Sequence, residues 1–161
     1  MNLDEGVEFA RLLAESHHEG RWQALATGQA NAYAIVGSSA ICVLAPRWGS
    51  QPDPFLSLVC GLATAVQVTP KAHELVNGLN KEAYFGTCHI EADDRGRGSI
   101  LARLLIPLEP ITWDNPPSTR WAATMVNTVV AAAERASPSI VSQLGGQHFA
   151  PNAINALWSM S

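Results

Sequence analysis

Residues 55–68 (FLSLVCGLATAVQV), 69–81 (TPKAHELVNGLNK) and 84–107 (YFGTCHIEADDRGRGSILARLLIP) decide the fold. In the first stretch Leu56, Leu58, Cys60 and Leu62 share one parity, while Val59, Ala63 and Ala65 share the other. A strand apolar on both sides reads as a central one, covered on both faces. The second stretch opens with Thr69 as N-cap and Pro70 at the first helical position, and its apolar stripe is Leu75, Val76 and Leu79. Asn80 is a plausible terminator, because Asn tolerates the left-handed conformation. The third stretch reads as two strands, 84–92 and 99–107, joined by the charged, glycine-rich turn 93–98. So short a link demands an antiparallel hairpin.

Working outward, residues 3–17 have helical apolar spacing at Leu3, Val7, Ala10 and Ala14, with Asn2 or Asp4 as cap and an end at His17 to Gly20. A meander follows. Trp22, Ala24 and Ala26 alternate, Gly28-Gln29 turns, and the apolar runs 33–36 and 40–45 flank Gly37-Ser38-Ser39. The segment 46–54, with Trp48, Gly49 and three prolines, reads as a loop. After the capping region 114–119, a long alanine-rich helix is expected over about 118–136. Ser137-Pro138 should interrupt it, a further turn should reach Leu144, and Gly145-Gly146 should stop it. The order is helix, three or four strands, helix, two strands, long helix. Such grouping argues for an α+β domain with helices packed on an antiparallel sheet. That domain spans 1–146. The tail 147–161 carries Phe149, Leu157 and Trp158 and is expected to pack back weakly.

A chain of 161 residues suffices for one full core, and 47% hydrophobic residues argue against disorder. Charged residues make up only 15%, against about 25% in ordinary domains. The deficit points to apolar surface covered by a partner or a second copy, or else to a neutral surface rich in small polar residues. Net charge is −4, and among the scattered basic residues only Arg95 and Arg97 lie close together. Nucleic acid and anionic membranes, which need a basic face, are therefore not expected partners. The start at Met1 is acidic and lacks the apolar core of a signal peptide. No run approaches the ~20 apolar residues of a membrane span. The expected location is the cytoplasm, with Cys42, Cys60 and Cys88 as buried, reduced thiols.

Motifs that could carry chemistry are poorly formed. His17 and His18, beside Glu15 and Glu19, point about 100° apart on a helix and do not converge on a metal. Cys88 and His89 are strand neighbours on opposite faces and cannot form a nucleophile–base pair. His73 and His148 remain possible spatial partners for Cys88. Gly37-Ser38-Ser39 is not a nucleophile elbow, and Leu144-Gly145-Gly146 lacks the ending of a phosphate loop. The 95–98 tract is a hairpin turn, and Glu91, Asp93 and Asp94 lack calcium-loop spacing. No catalytic, metal or cofactor residue is assigned and no cofactor is expected. Trp48 and Trp113, in loop-like segments beside prolines, are candidate binding anchors.

Leu75-Val76-Asn77-Gly78-Leu79-Asn80, then Phe85-Gly86 opening a strand, an acidic turn, a second strand and a long alanine-rich helix together resemble the YbjN family. That family is part of a superfamily with type III secretion chaperones, and the resemblance covers Leu75 to Gly146. It implies a chaperone-like fold and non-enzymatic work. Secretion chaperones of this kind are usually dimers that hold a partner peptide extended along apolar grooves and sheet edges, and YbjN-like proteins are described as regulators. Asn77 and Asn80 are expected to be structural, bonding backbone near the helix end. The leading expectation is a peptide- or protein-binding, chaperone-like or regulatory homodimer. The competing one is a small-molecule binder or cryptic enzyme with a site near His73, Cys88 or His148.

Overall fold

The computed structural model describes residues 1–17, 23–27, 31–48, 54–82 and 86–159. Its central element is the fourth strand, β4 (Pro54–Gln67). Before it come helix α1 (Leu3–Glu15) and strands β1 (Gln23–Ala26), β2 (Tyr33–Val36) and β3 (Ile41–Trp48). After it come α2 (Pro70–Lys81), β5 (Thr87–Ala92), β6 (Arg97–Pro107) and α3 (Pro116–Leu144). The six strands form one sheet in the order β1-β2-β3-β4-β6-β5, with every neighbouring pair antiparallel. The α+β class and the element order are those expected from the sequence. The proposed turn at Gly28-Gln29, and Tyr84 and Phe85, lie outside the described residues.

β4 reads as apolar on both parities because it is covered on both faces. One face carries the main core, with Leu56, Leu58, Cys60 and Leu62 under α1 and α3. The other carries a smaller core of Ile41, Val43, Ala45, Val59 and Leu101. Local chemistry fixes the helix starts. Asn2 and Glu5 form a reciprocal capping box at α1, with bonds of 2.9 and 2.8 Å. Thr69 caps α2, with Pro70 at its first position.

Four details depart from the sequence reading. First, Pro46 and Arg47 are not loop residues; β3 continues through them opposite Leu56 and Phe55. Cys42 and Cys60 are only 4.0 Å apart at Cα, the mark of a pair without ladder bonds between the two residues. Even-numbered β3 residues therefore turn their backbone groups toward β2. β2 ends at Tyr33 opposite Leu44, so Pro46 removes no ladder bond. Second, Cys42 and Cys60 are disulfide-bonded, and Cys88 alone is a free, buried thiol. Linear separation concealed a cross-strand register that makes them direct neighbours.

Third, α3 runs unbroken through Pro138 over 29 residues. The proline deprives the Glu134 carbonyl of its helical donor. The helix continues because the side chains of Glu134 and Ser137 fasten that turn to the sheet. Fourth, the segment after Gly146 is folded onto the sheet and covers part of one face. It forms a 3-10 turn and a short helix α4 (Ile154–Ser159), and it buries Phe149 and Leu157 in the smaller core.

Candidate polypeptide-binding surface

The three residues proposed for a cryptic site do not meet. His73 is exposed in the first turn of α2, whereas Cys88 lies against Asn80 in the last turn. Seven helical residues separate those ends, about 10 Å. Burial pushes the Cys88 thiol up to about 11, the opposite of an activated nucleophile. His148 is held at Ser137, its Nδ1 2.8 Å from the hydroxyl and 3.1 Å from the Ser39 carbonyl. His17 is half-buried, and burial pulls its pKa down against the opposing bond with Asn127. His18 and Glu19 lie outside the described residues. Among the described residues no group of three or more His, Cys, Asp or Glu could hold a metal ion. No described helix is long and apolar enough to cross a membrane.

The buried polar chemistry is architectural. Glu134, on α3, aims its carboxylate at the β2–β3 turn. It accepts the N–H groups of Ser38 (2.9 Å), Ser39 (3.0 Å) and Ala40 (2.9 Å), together with the Ser38 hydroxyl. Burial works to raise its pKa. The bonds from the Ser38 hydroxyl and the three N–H groups prevail and hold it below the usual carboxylate range. Three residues on, the Ser137 hydroxyl stands 2.5 Å from the Leu62 carbonyl and 2.7 Å from the Ser39 carbonyl, both acceptors for it, with His148 Nδ1 at 2.8 Å. The sequence flagged Gly37-Ser38-Ser39 only to reject it as a nucleophile elbow. Its real partner lies 95 or more residues away, so no local spacing could reveal it.

The surface offers features of another kind. β5 is an edge strand. At its start the Asn80 side chain donates to the Cys88 carbonyl (2.9 Å) and accepts the Cys88 N–H (2.6 Å), standing in for a neighbouring strand. The structural role expected of Asn80 is thus seen in detail, but it lies within α2, which runs on to Lys81, and does not terminate it. Because Cys88 turns its backbone groups away from β6, alternation makes Ile90 and Ala92 do the same. The Asp93 N–H, on the other parity, bonds inward to Arg97. Among the described residues nothing bonds the outward groups of Ile90 and Ala92. They are a short open ladder of the kind to which an extended peptide adds.

Large apolar side chains are also left wet: Leu12 (41%), Trp113 (41%), Leu105 (49%) and Trp121 (50%). Trp113, one of the two loop tryptophans singled out as anchors, stands edge-on to Phe9 with ring centroids 5.7 Å apart. The Trp48 side chain lies outside those described. Between α2 and α3 runs an open groove of about 540 Å³, floored by Leu75, Leu79, Ala132, Ala136 and Ile140 and rimmed by Glu82 and Arg135.

Solved structures offer a loose likeness of fold. A chain of the ExsC-ExsE complex aligns at 11% identity over 86% of this chain and 96% of its own length, with a TM-score of 0.47. A chain of the heterodimeric ExoU-SpcU complex from the type III secretion system of Pseudomonas aeruginosa aligns at 12% identity over 89% and 98%, with a TM-score of 0.43. No protein-family model matches the chain, and no curated protein matches it in sequence.

Proposed function

We propose that this chain is a non-enzymatic polypeptide-binding protein, chaperone-like or regulatory, of the YbjN and secretion-chaperone type suggested by its sequence. The observation that carries the reading is the edge of β5, where Ile90 and Ala92 present backbone groups that nothing among the described residues pairs, beyond the Asn80 clamp. An extended partner segment gains affinity from those groups and selectivity from apolar surface nearby. The low charge and the exposed tryptophans fit a surface made to be covered. A homodimer is the assembly proposed, since a second copy would cover part of that surface.

Ala92→Pro tests the reading directly. A proline facing outward on an edge strand is tolerated but removes the donor that an incoming strand needs. The full chain, tagged and crosslinked in native lysate, should capture a polypeptide that Ala92→Pro loses while its circular dichroism stays unchanged. Light scattering should give twice the 17.2 kDa of one chain. Capture of none by either form would remove the basis for this function, and capture of the same proteins by both would remove the β5 edge as its site.

A further inference from the structure

We propose that residues 147–159 are a built-in pseudo-ligand: a hinged strap seated on the second face of the sheet, which a partner segment takes over by displacing it. The inference rests on the polypeptide-binding function above and names a binding face for it, distinct from the β5 edge.

The two faces of the sheet are covered very differently. α1, α2 and α3 lie over the main core. Among the described residues the smaller core is closed by the strap, with Ala32 at its margin. The strap begins at a hinge, Gly145 and Gly146, with φ of +71° and +90°. A Cβ on Gly145 would meet nothing within 4 Å, whereas one on Gly146 would stand 2.5 Å from the Thr64 carbonyl oxygen, so the chain turns in open space at Gly145 and is seated against β4 from Gly146 on.

Beyond the hinge the strap is held as a docked peptide is held. Its backbone makes one two-bond bridge, the Thr64 and Gln147 N–H groups each donating to the other's carbonyl at 2.9 Å. The bridge is possible because β4 is irregular there, with register shifts on both sides of Ala63. Phe149 then drops onto β4 where Gly61 has no side chain; a Cβ there would stand 2.5 Å from the ring. Leu157 is fully buried, and the Trp158 ring lies 3.8 Å from the Arg47 guanidinium, whose Nη2 donates to the Trp158 carbonyl.

An aromatic anchor, a short turn and an aliphatic anchor eight residues later form a recognition pattern. The strap does not hold that shape unaided: α4 has six residues, far below the ~12 that a free helix needs. Lifted, it bares Ile41, Val43, Val59 and Leu101, a flat apolar face of β-branched and aliphatic side chains. By strand alternation Arg103 and then Leu105 follow Leu101 on that face of β6, and Leu105 is already 49% exposed. A partner therefore has a foothold beside the strap before the strap leaves. The partner that fits is a polypeptide segment with an aromatic residue followed, after one turn, by an aliphatic–aromatic pair.

Native-state hydrogen exchange on the full chain tests the hinge without any partner. Amides of residues 147–159 should exchange at least ~100-fold faster than those of β3 and β4, reporting strap release by local opening. Exchange of the strap only with global unfolding would overturn the proposal. A labelled synthetic peptide of residues 147–159 then tests the seat by fluorescence anisotropy. It should bind Phe149→Ala, whose own strap is loosened, about tenfold more tightly than the unaltered chain. It should not bind Gly61→Ala, whose added Cβ fills the Phe149 seat. Equal binding to both variants, or to neither when both keep the β3 and β4 protection of the unaltered chain, would also overturn it. Neither readout depends on the β5 edge.

Discussion

Glu134 shows how much one side chain organises here. Its carboxylate binds the 38–40 turn to α3 through three backbone donors and a hydroxyl, and charge-assisted bonds of this kind are the strong ones. Since its folded pKa lies below its value of 4.5 in the free state, its contribution is complete above that value and fades as pH falls through the lowered folded pKa. Glu134→Gln should lose about 1–3 kcal/mol at pH 7. It should also lose part of the chain's acid sensitivity, so that the two stabilities converge as pH falls below 4.5. Urea denaturation at steps from pH 7 to 3 checks this. A parallel pair of curves would mean that the carboxylate's charge does not matter. None of this is legible locally: a lone glutamate in an alanine-rich helix reads as a solvated charge, and only the packing of α3 on the β2–β3 turn makes it an anchor.

Among the elements, β5 is the strand whose behaviour depends most on a single clamp. Asn80 satisfies both outward groups of Cys88 and so shortens the open edge to Ile90 and Ala92. Asn80→Ala should cost about 1–2 kcal/mol for the two lost bonds. It should also lengthen the free ladder, raising self-association measured by light scattering at fixed concentration. A destabilised variant that stays at the size of the unaltered chain would show that the clamp acts on stability alone. The β5–β6 hairpin and α2 were readable because their signals are local: a cap, a stripe, a charged turn. α3 was misjudged at Pro138 because proline's local cost is visible in sequence. The tertiary bonds that offset it, from Ser137 to Leu62 and from Glu134 to the turn, are not.

At the scale of the whole molecule, the Cys42–Cys60 bond ties the two central strands beneath the main core. Closing a loop across a sequence separation of 18 stabilises a chain by about 3 kcal/mol. Alkylation in denaturant should label one cysteine without reductant and three with it, and reduction should lower the urea midpoint accordingly. Three labels in both cases would show a reduced chain and dismiss the bond. Here the reading from cysteine number and spacing failed, since pairing depends on the register of β3 against β4.

What the sequence by itself determined is whatever follows from short-range periodicity and composition: the α+β class, the order of elements, a central β4 apolar on both faces, the hairpin, and a surface poor in charge. Only the tertiary structure decided the disulfide, the Glu134 and Ser137 anchors, the continuity of α3 and the seat of residues 147–159. Each of these joins groups far apart along the chain, and chain distance carries no signal of the contact until the sheet has set its register.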